Sequence, residues 1–106
     1  MTAAGFTVQS EHAGDSVRLS VSGELDLLTE PVLVGRVRDE LSSADVNEVV
    51  IDLRAVSFID SSGLRALLVC RGDVQRHASR LRLAVGTGAA ARLFEVAGVT
   101  DWFSYE

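Results

Sequence analysis

Hydrophobic and polar residues alternate with a period of two near the start of the chain. Val17, Leu19 and Val21 are separated by Arg18, Ser20 and Ser22, the pattern of a strand with one buried face. Phe6 to Glu11 alternates more weakly, and Ala13-Gly14-Asp15 supplies a turn between the two segments. An antiparallel pair is therefore expected, its second strand ending at Gly23 before a polar Glu24-Leu25-Asp26. The period then changes. Thr29-Glu30-Pro31 combines a capping hydroxyl, an early acid and a proline tolerated in a first helical turn. Leu33, Val37 and Leu41 follow at four-residue intervals, so one helix face is buried, until Ser42-Ser43-Ala44-Asp45 breaks the pattern.

Val49-Val50-Ile51-Asp52-Leu53 is a nearly continuous apolar run, as expected for an interior parallel strand covered on both faces. A second short apolar stretch leads to Asp60-Ser61-Ser62-Gly63, where a helical pattern begins and lasts to about Ala78, with Leu64, Leu67, Leu68, Arg71 and Gln75 along one stripe. Leu81, Leu83 and Val85 alternate as a strand. Gly86-Thr87-Gly88 turns the chain into an Ala-rich helix with Leu93, Phe94 and Ala97, stopped by Gly98. Trp102-Phe103 reads as a last short strand or a packed tail. Alternating strands and helices from Gly23 onward predict an α/β fold: a small mixed sheet, antiparallel at its N-terminal strands and parallel in the remainder, with helices packed on it. In open sheets of this kind ligands and partners meet the carboxyl ends of the parallel strands. Asp60 to Gly63 would lie at such an end.

Residues 1–106 are long enough for one core and too short for two, so a single domain is expected. A formal net charge of -5, with the ten basic residues scattered, argues against nucleic-acid binding. The lone cysteine, Cys70, excludes an internal disulfide and reads as a small core hydrophobe. The opening MTAAGFTVQSEHAG lacks the basic and apolar regions of a secretory signal. No apolar run reaches the roughly 18 residues of a membrane span. The expected location is the cytoplasm, without membrane insertion.

Four chemistries compete for the Asp60–Gly63 segment and its surroundings. A nucleophilic serine at Ser61 or Ser62 would need a base nearby, but His12 lies near the first turn and His77 at the far end of the helix. Gly86-Thr87-Gly88 could face an anion, yet lacks the lysine of a phosphate loop. Glu24, Asp26, Asp52 and Asp60 share no spacing that chelates a metal by itself, so no metal site is expected. What remains is a serine that is acted upon. Ser61 or Ser62 is expected to cap the helix, and two adjacent hydroxyls exceed what one cap requires. Gly63 gives up about 1 kcal/mol of helix propensity relative to alanine, which on this reading leaves the approach to the serines open. A phosphate here would add nearly two negative charges beside Asp60.

The run Val49–Leu68, with Gly23-Glu24-Leu25-Asp26 upstream and Ala90-Ala91-Arg92-Leu93-Phe94-Glu95-Val96-Ala97-Gly98 downstream, resembles the STAS domain, and more narrowly the bacterial anti-sigma factor antagonists. The resemblance implies the STAS fold and a regulatory binding protein rather than an enzyme. It implies that Ser61 is the phosphorylated hydroxyl, with Ser62 the alternative, and that Asp26 is the acid nearest to it. The implied kinase is the anti-sigma factor itself, an ATP-dependent serine kinase; ATP is bound there, so this chain needs no cofactor. A metal-dependent protein serine phosphatase would reverse the modification. By the same resemblance Glu24, Asp26, Thr29, Asp60, Ser62, Gly63, Leu64 and Arg65 line the partner-binding surface. The alternative it leaves open is a non-switching STAS subunit of a membrane transport complex for lipid or anions.

Overall fold

The computed structural model describes residues 5–43 and 45–106. In chain order it comprises β1 (Thr7–Ala13), β2 (Ser16–Leu25), α1 (Glu30–Ser43), β3 (Glu48–Ile59), α2 (Ser61–Arg76), β4 (Arg80–Ala84) and α3 (Ala89–Ala97), followed by a single 3-10 turn, Thr100–Trp102. The strands form one sheet in the order β1-β2-β3-β4. The first pair is antiparallel, turned at Gly14 with φ +61°, and β2, β3 and β4 run parallel. The mixed sheet expected from the alternation of periods is therefore present. The crossovers are α1 and α2, which pack on one another and on the sheet. Leu33, Val37 and Leu41 of α1 and Ala66, Leu67, Cys70 and Val74 of α2 share one core with Val17, Leu19, Val21, Val49, Ile51 and Leu53.

β3 differs from the short strand that its apolar run suggested. It continues for 12 residues to Ile59, and two register shifts against β2 explain why the sequence pattern breaks off early. Ser20 faces Asp52 and Ser22 faces Ala55; Gly23 faces Val56 and Glu24 faces Phe58. Each bulge places an extra residue in β3 and bends it. The residues that enter the core accordingly change from every second (Val49, Ile51, Leu53) to every third (Leu53, Val56, Ile59). β2 also continues past Gly23, which sits within the strand at φ +98°. A side chain there would collide with the backbone of Gly5 and Phe6. Leu25, which reads as part of a polar segment, is fully buried.

The buried stripe of α2 is rotated from the one its leucines suggest. Gly63, Ala66, Leu67, Cys70, Asp73 and Val74 face inward, Leu64 and Leu68 lie at the border, and Gln75 is exposed. Small residues on the inner face let the helix approach closely, and the bulkier leucines fill its flank. Burial pushes the Cys70 thiol up to about 12, which leaves it un-ionised and inert. Trp102 belongs to the 3-10 turn and not to a strand. Phe103 is buried and stacks on Phe94 with ring centroids 5.2 Å apart. The one strand-like pairing of the tail, among the described residues, is Leu83 with Tyr105.

Two ion-pair groups tie these elements together. Asp73 on α2 accepts from Arg38 of α1 at 2.7 Å and from Arg76; burial raises its pKa, and the two guanidinium hydrogen bonds outweigh that and lower it overall. Asp52 on β3 accepts from Arg54 at 2.7 Å and from Arg18 at 2.8 Å, and Arg18 also holds Glu106 of the tail. The Arg54 and Arg18 hydrogen bonds hold the Asp52 carboxyl well below its ordinary value of 3.8. A depressed folded pKa contributes stability that is complete above the ordinary value and is lost as pH falls through the folded one. Asp52→Asn is expected to cost about 2 kcal/mol at neutral pH. The gap to wild type should shrink steadily below about pH 4. Urea unfolding midpoints across that range measure it, and a gap that stays constant down to low pH would contradict the assignment.

Candidate functional site

Because β2 and β3 are parallel, their carboxyl ends share one edge of the sheet. The last rung pairs Leu25 with Ile59, and the Asp60 N–H donates to the Leu25 carbonyl at 3.4 Å. Beyond that rung two helix starts stand side by side: Asp26–Thr29 leading into α1, and Asp60–Gly63 leading into α2. Arg65 joins them, its Nη2 donating to Glu30 Oε2 at 2.7 Å and its Nε to Oε1 at 3.2 Å.

The approach to α1 is locked by reciprocal hydrogen bonds. Asp26 Oδ1 accepts the N–H groups of Leu28 and Thr29 at 3.0 and 3.2 Å. Thr29 Oγ1 accepts the Asp26 N–H at 2.9 Å and donates to the Glu24 carbonyl at 2.8 Å. Asp and Thr three residues apart are suited to this, since their short polar side chains bond the backbone of a turn. The lock turns Leu27 and Leu28 outward, 64% and 75% exposed. Phe58, opposite Glu24 on β3, is exposed as well. Glu24, Asp26, Leu28 and Ser57 line part of a groove of about 480 Å³ beside this loop.

At the start of α2 the cap is not a serine. Asp60 is the N-cap, and its Oδ1 accepts the N–H groups of Ser62 at 2.9 Å and Gly63 at 3.1 Å. A carboxylate at this position also meets the positive end of the helix. The expectation that Ser61 or Ser62 caps the helix is thus corrected. Among the described residues neither serine hydroxyl has a hydrogen-bond partner. Ser61 is exposed and Ser62 half-buried.

Gly63 is also corrected. A Cβ there would meet Ile59 Cγ1 and the Leu25 carbonyl oxygen, each at 2.6 Å. The glycine lets α2 sit directly on the ends of β2 and β3, and it does not open a path to the serines. Of the eight residues expected on a partner-facing surface, Thr29 and Gly63 are buried and hold the site from beneath. Glu24 and Arg65 are exposed; Asp26, Asp60, Ser62 and Leu64 are partly so. Sequence reasoning missed Leu27, Leu28, Phe58 and Glu30. The two leucines were legible, since Asp26-Leu27-Leu28-Thr29 places apolar residues outside any helix or strand period. Phe58 was not, because its exposure follows from a bulge.

The remaining candidates lie elsewhere. His12 on β1 contacts Glu40 of α1, and His77 closes the far end of α2. Asp52 is engaged by its arginines. Among the described residues no group of three His, Cys, Asp or Glu could hold a metal ion, and no helix is long and apolar enough to cross a membrane.

Comparison with known proteins places the fold in a family. The model of the STAS domain family matches residues 7–106. An anti-sigma-B factor antagonist from Listeria monocytogenes is 32% identical over 94 residues, 86% of this chain and 79% of that protein. The crystal structure of an anti-sigma factor antagonist from Mycobacterium paratuberculosis superimposes with a TM-score of 0.82 at 25% identity, covering 99% of this chain and 89% of that one. The anti-sigma factor antagonist SpoIIAA in its unphosphorylated form shares the fold, with a TM-score of 0.76 at 21% identity over 94% and 88% of the two chains.

The two glycines of α2 separate packing from propensity. Gly63→Ala is expected to destabilise by about 2 kcal/mol or more, because the carbonyl it meets cannot move aside cheaply. Gly72→Ala meets only the end of the Arg76 side chain and should stabilise by about 0.5 kcal/mol. Chemical unfolding of both variants, read as opposite shifts in midpoint, checks the pair.

Proposed function

The chain belongs to the STAS domain family, and on that footing we propose that it is an anti-sigma factor antagonist. The unmodified form binds an anti-sigma factor that is also a serine kinase and thereby frees a sigma factor. Phosphorylation of Ser61 switches the binding off. The observation that carries this reading is the Ser61 hydroxyl itself: exposed, at the start of α2, and without a hydrogen-bond partner among the described residues because Asp60 does the capping. A serine relieved of structural work can be modified without unfolding its surroundings.

The chemistry belongs to the partner. Ser61 Oγ attacks the γ-phosphorus of ATP held by the kinase, the Oγ–P bond forms, the bond to ADP breaks, and the hydroxyl proton leaves to a base on the kinase. A protein serine phosphatase reverses this with water and releases inorganic phosphate. Before modification the partner meets a surface of apolar Leu27, Leu28 and Phe58, acidic Glu24, Asp26 and Asp60, and a neutral hydroxyl. Afterwards it must accommodate close to two further negative charges at the centre of that surface. Like charges brought together at an interface cost several kcal/mol. A loss of about 3 kcal/mol already lowers affinity roughly a hundredfold. The helix dipole and the Asp60 cap are already in place before modification, and this reading needs no large rearrangement.

Incubation with the cognate kinase and Mg-ATP should place one phosphate on the wild type and on Ser62→Ala, and none on Ser61→Ala. Titration calorimetry should show the phosphorylated wild type binding the kinase about a hundredfold more weakly, and Ser61→Ala binding it whether or not ATP is supplied. Equal phosphate incorporation by Ser61→Ala and wild type would show the site assignment to be wrong.

A further inference from the structure

We infer that Arg65 receives the phosphate once Ser61 is modified, and that in doing so it releases Glu30. This rests on the reading of Ser61 as the modified serine and assigns what happens at that site afterwards. The helix start has little left to offer a phosphate. Asp60 Oδ1 occupies the Ser62 and Gly63 amides, and the Leu64 amide is bonded to the Asp60 carbonyl at 3.0 Å. Ser61's own N–H is the remaining donor of the first turn.

Beyond that one amide, protein compensation for the phosphate has to come from a side-chain cation, and the sequence provides one. Neither residues 24–35 nor residues 57–70 contain a lysine or arginine other than Arg65. Ser61 and Arg65 are four residues apart on α2, so their Cβ atoms lie about 5–6 Å from each other on one helix face. Long side chains on a helix lean toward its N-terminus, which aims Arg65 back over Ser61. The order is also the favourable one, with the anion N-terminal to the cation.

Arg65 is poised between two acceptors. Its side chain is 60% exposed and, among the described residues, tied only to Glu30, whereas that of Glu30 is 18% exposed and belongs to the first turn of α1. A phosphate offers nearly twice the charge of a carboxylate and three acceptor oxygens for the guanidinium fork. One modification then alters the surface in two places: a tethered phosphate at the start of α2 and, at the start of α1, a Glu30 carboxylate that has lost its guanidinium partner. The net gain is the phosphate's close to two negative charges, and the shift of Arg65 spreads it from the start of α2 to the start of α1, on a face that already carries Glu24, Asp26 and Asp60.

The test is a phosphorus-31 NMR titration of the full chain bearing phosphoserine at position 61, installed by the kinase or by co-translational incorporation. In the wild type the second ionisation of the phosphate should lie below that in Arg65→Gln by about half a unit. Glu30→Gln, which frees the guanidinium, should lower it at least as far as wild type. The Arg65 Nε–H resonance should move on phosphorylation of the wild type. Identical titrations of wild type and Arg65→Gln, with the phosphate present in both, would overturn the assignment. Failure of the kinase to modify Ser61 shows instead in the mass spectrum; it would count against the functional reading and leave the titration of the synthetic phosphoprotein to decide the role of Arg65.

Discussion

The contact of Gly63 with the Leu25 carbonyl and Ile59 is the constraint on which the rest of the site depends. It seats the start of α2 on the last rung between β2 and β3, where a single methyl group would not fit. From that seating follow the position of Asp60 over the first-turn amides, the outward direction of Ser61, and the reach of Arg65 to Glu30. The hydrophobic core holds the helix to the sheet over its length. The glycine fixes how far along the strands the helix begins, and thus where the serine stands.

Much of this architecture is legible in the order of the residues alone. Period-two alternation locates the first strand pair, the four-residue recurrence of Leu33, Val37 and Leu41 locates α1, and the apolar run Val49–Leu53 locates β3. The site segment is legible as well, because Asp-Ser-Ser-Gly at the junction of two patterns is a boundary with more polar atoms than a boundary needs. Which of three adjacent residues caps the helix is not legible. Asp and Ser are comparable N-caps, and only the backbone angles at Asp60 decide which residue stands just outside the helix.

What the sequence conceals arises from long-range geometry. The bulges in β3 change which residues face inward from every second to every third, so a regular period misreads Phe58 and breaks the strand too early. The inner face of α2 is drawn by Gly63, Ala66 and Cys70, whose small size signals close packing only once the opposing surface is known. Leu25 is flanked by acids and still fully buried, because the loop that follows it is pinned by Thr29. In each case a neighbour distant in sequence or a tertiary contact overrides the local pattern.

The parallel ladder between β2 and β3 has a further consequence in time. The β1–β2 hairpin closes over a two-residue turn, but Ser16 meets Glu48, and Glu48 meets Arg80, only after about thirty residues of crossover have been ordered. Such non-local pairings form late, since loop-closure entropy is lost before the contacts compensate it. The edge that carries Ser61 is made from the ends of the two strands so joined. A partially folded chain can present the sequence around Ser61, but not the surface formed by the two helix starts together. A partner that reads the two starts at once would discriminate a completed fold from a nascent one.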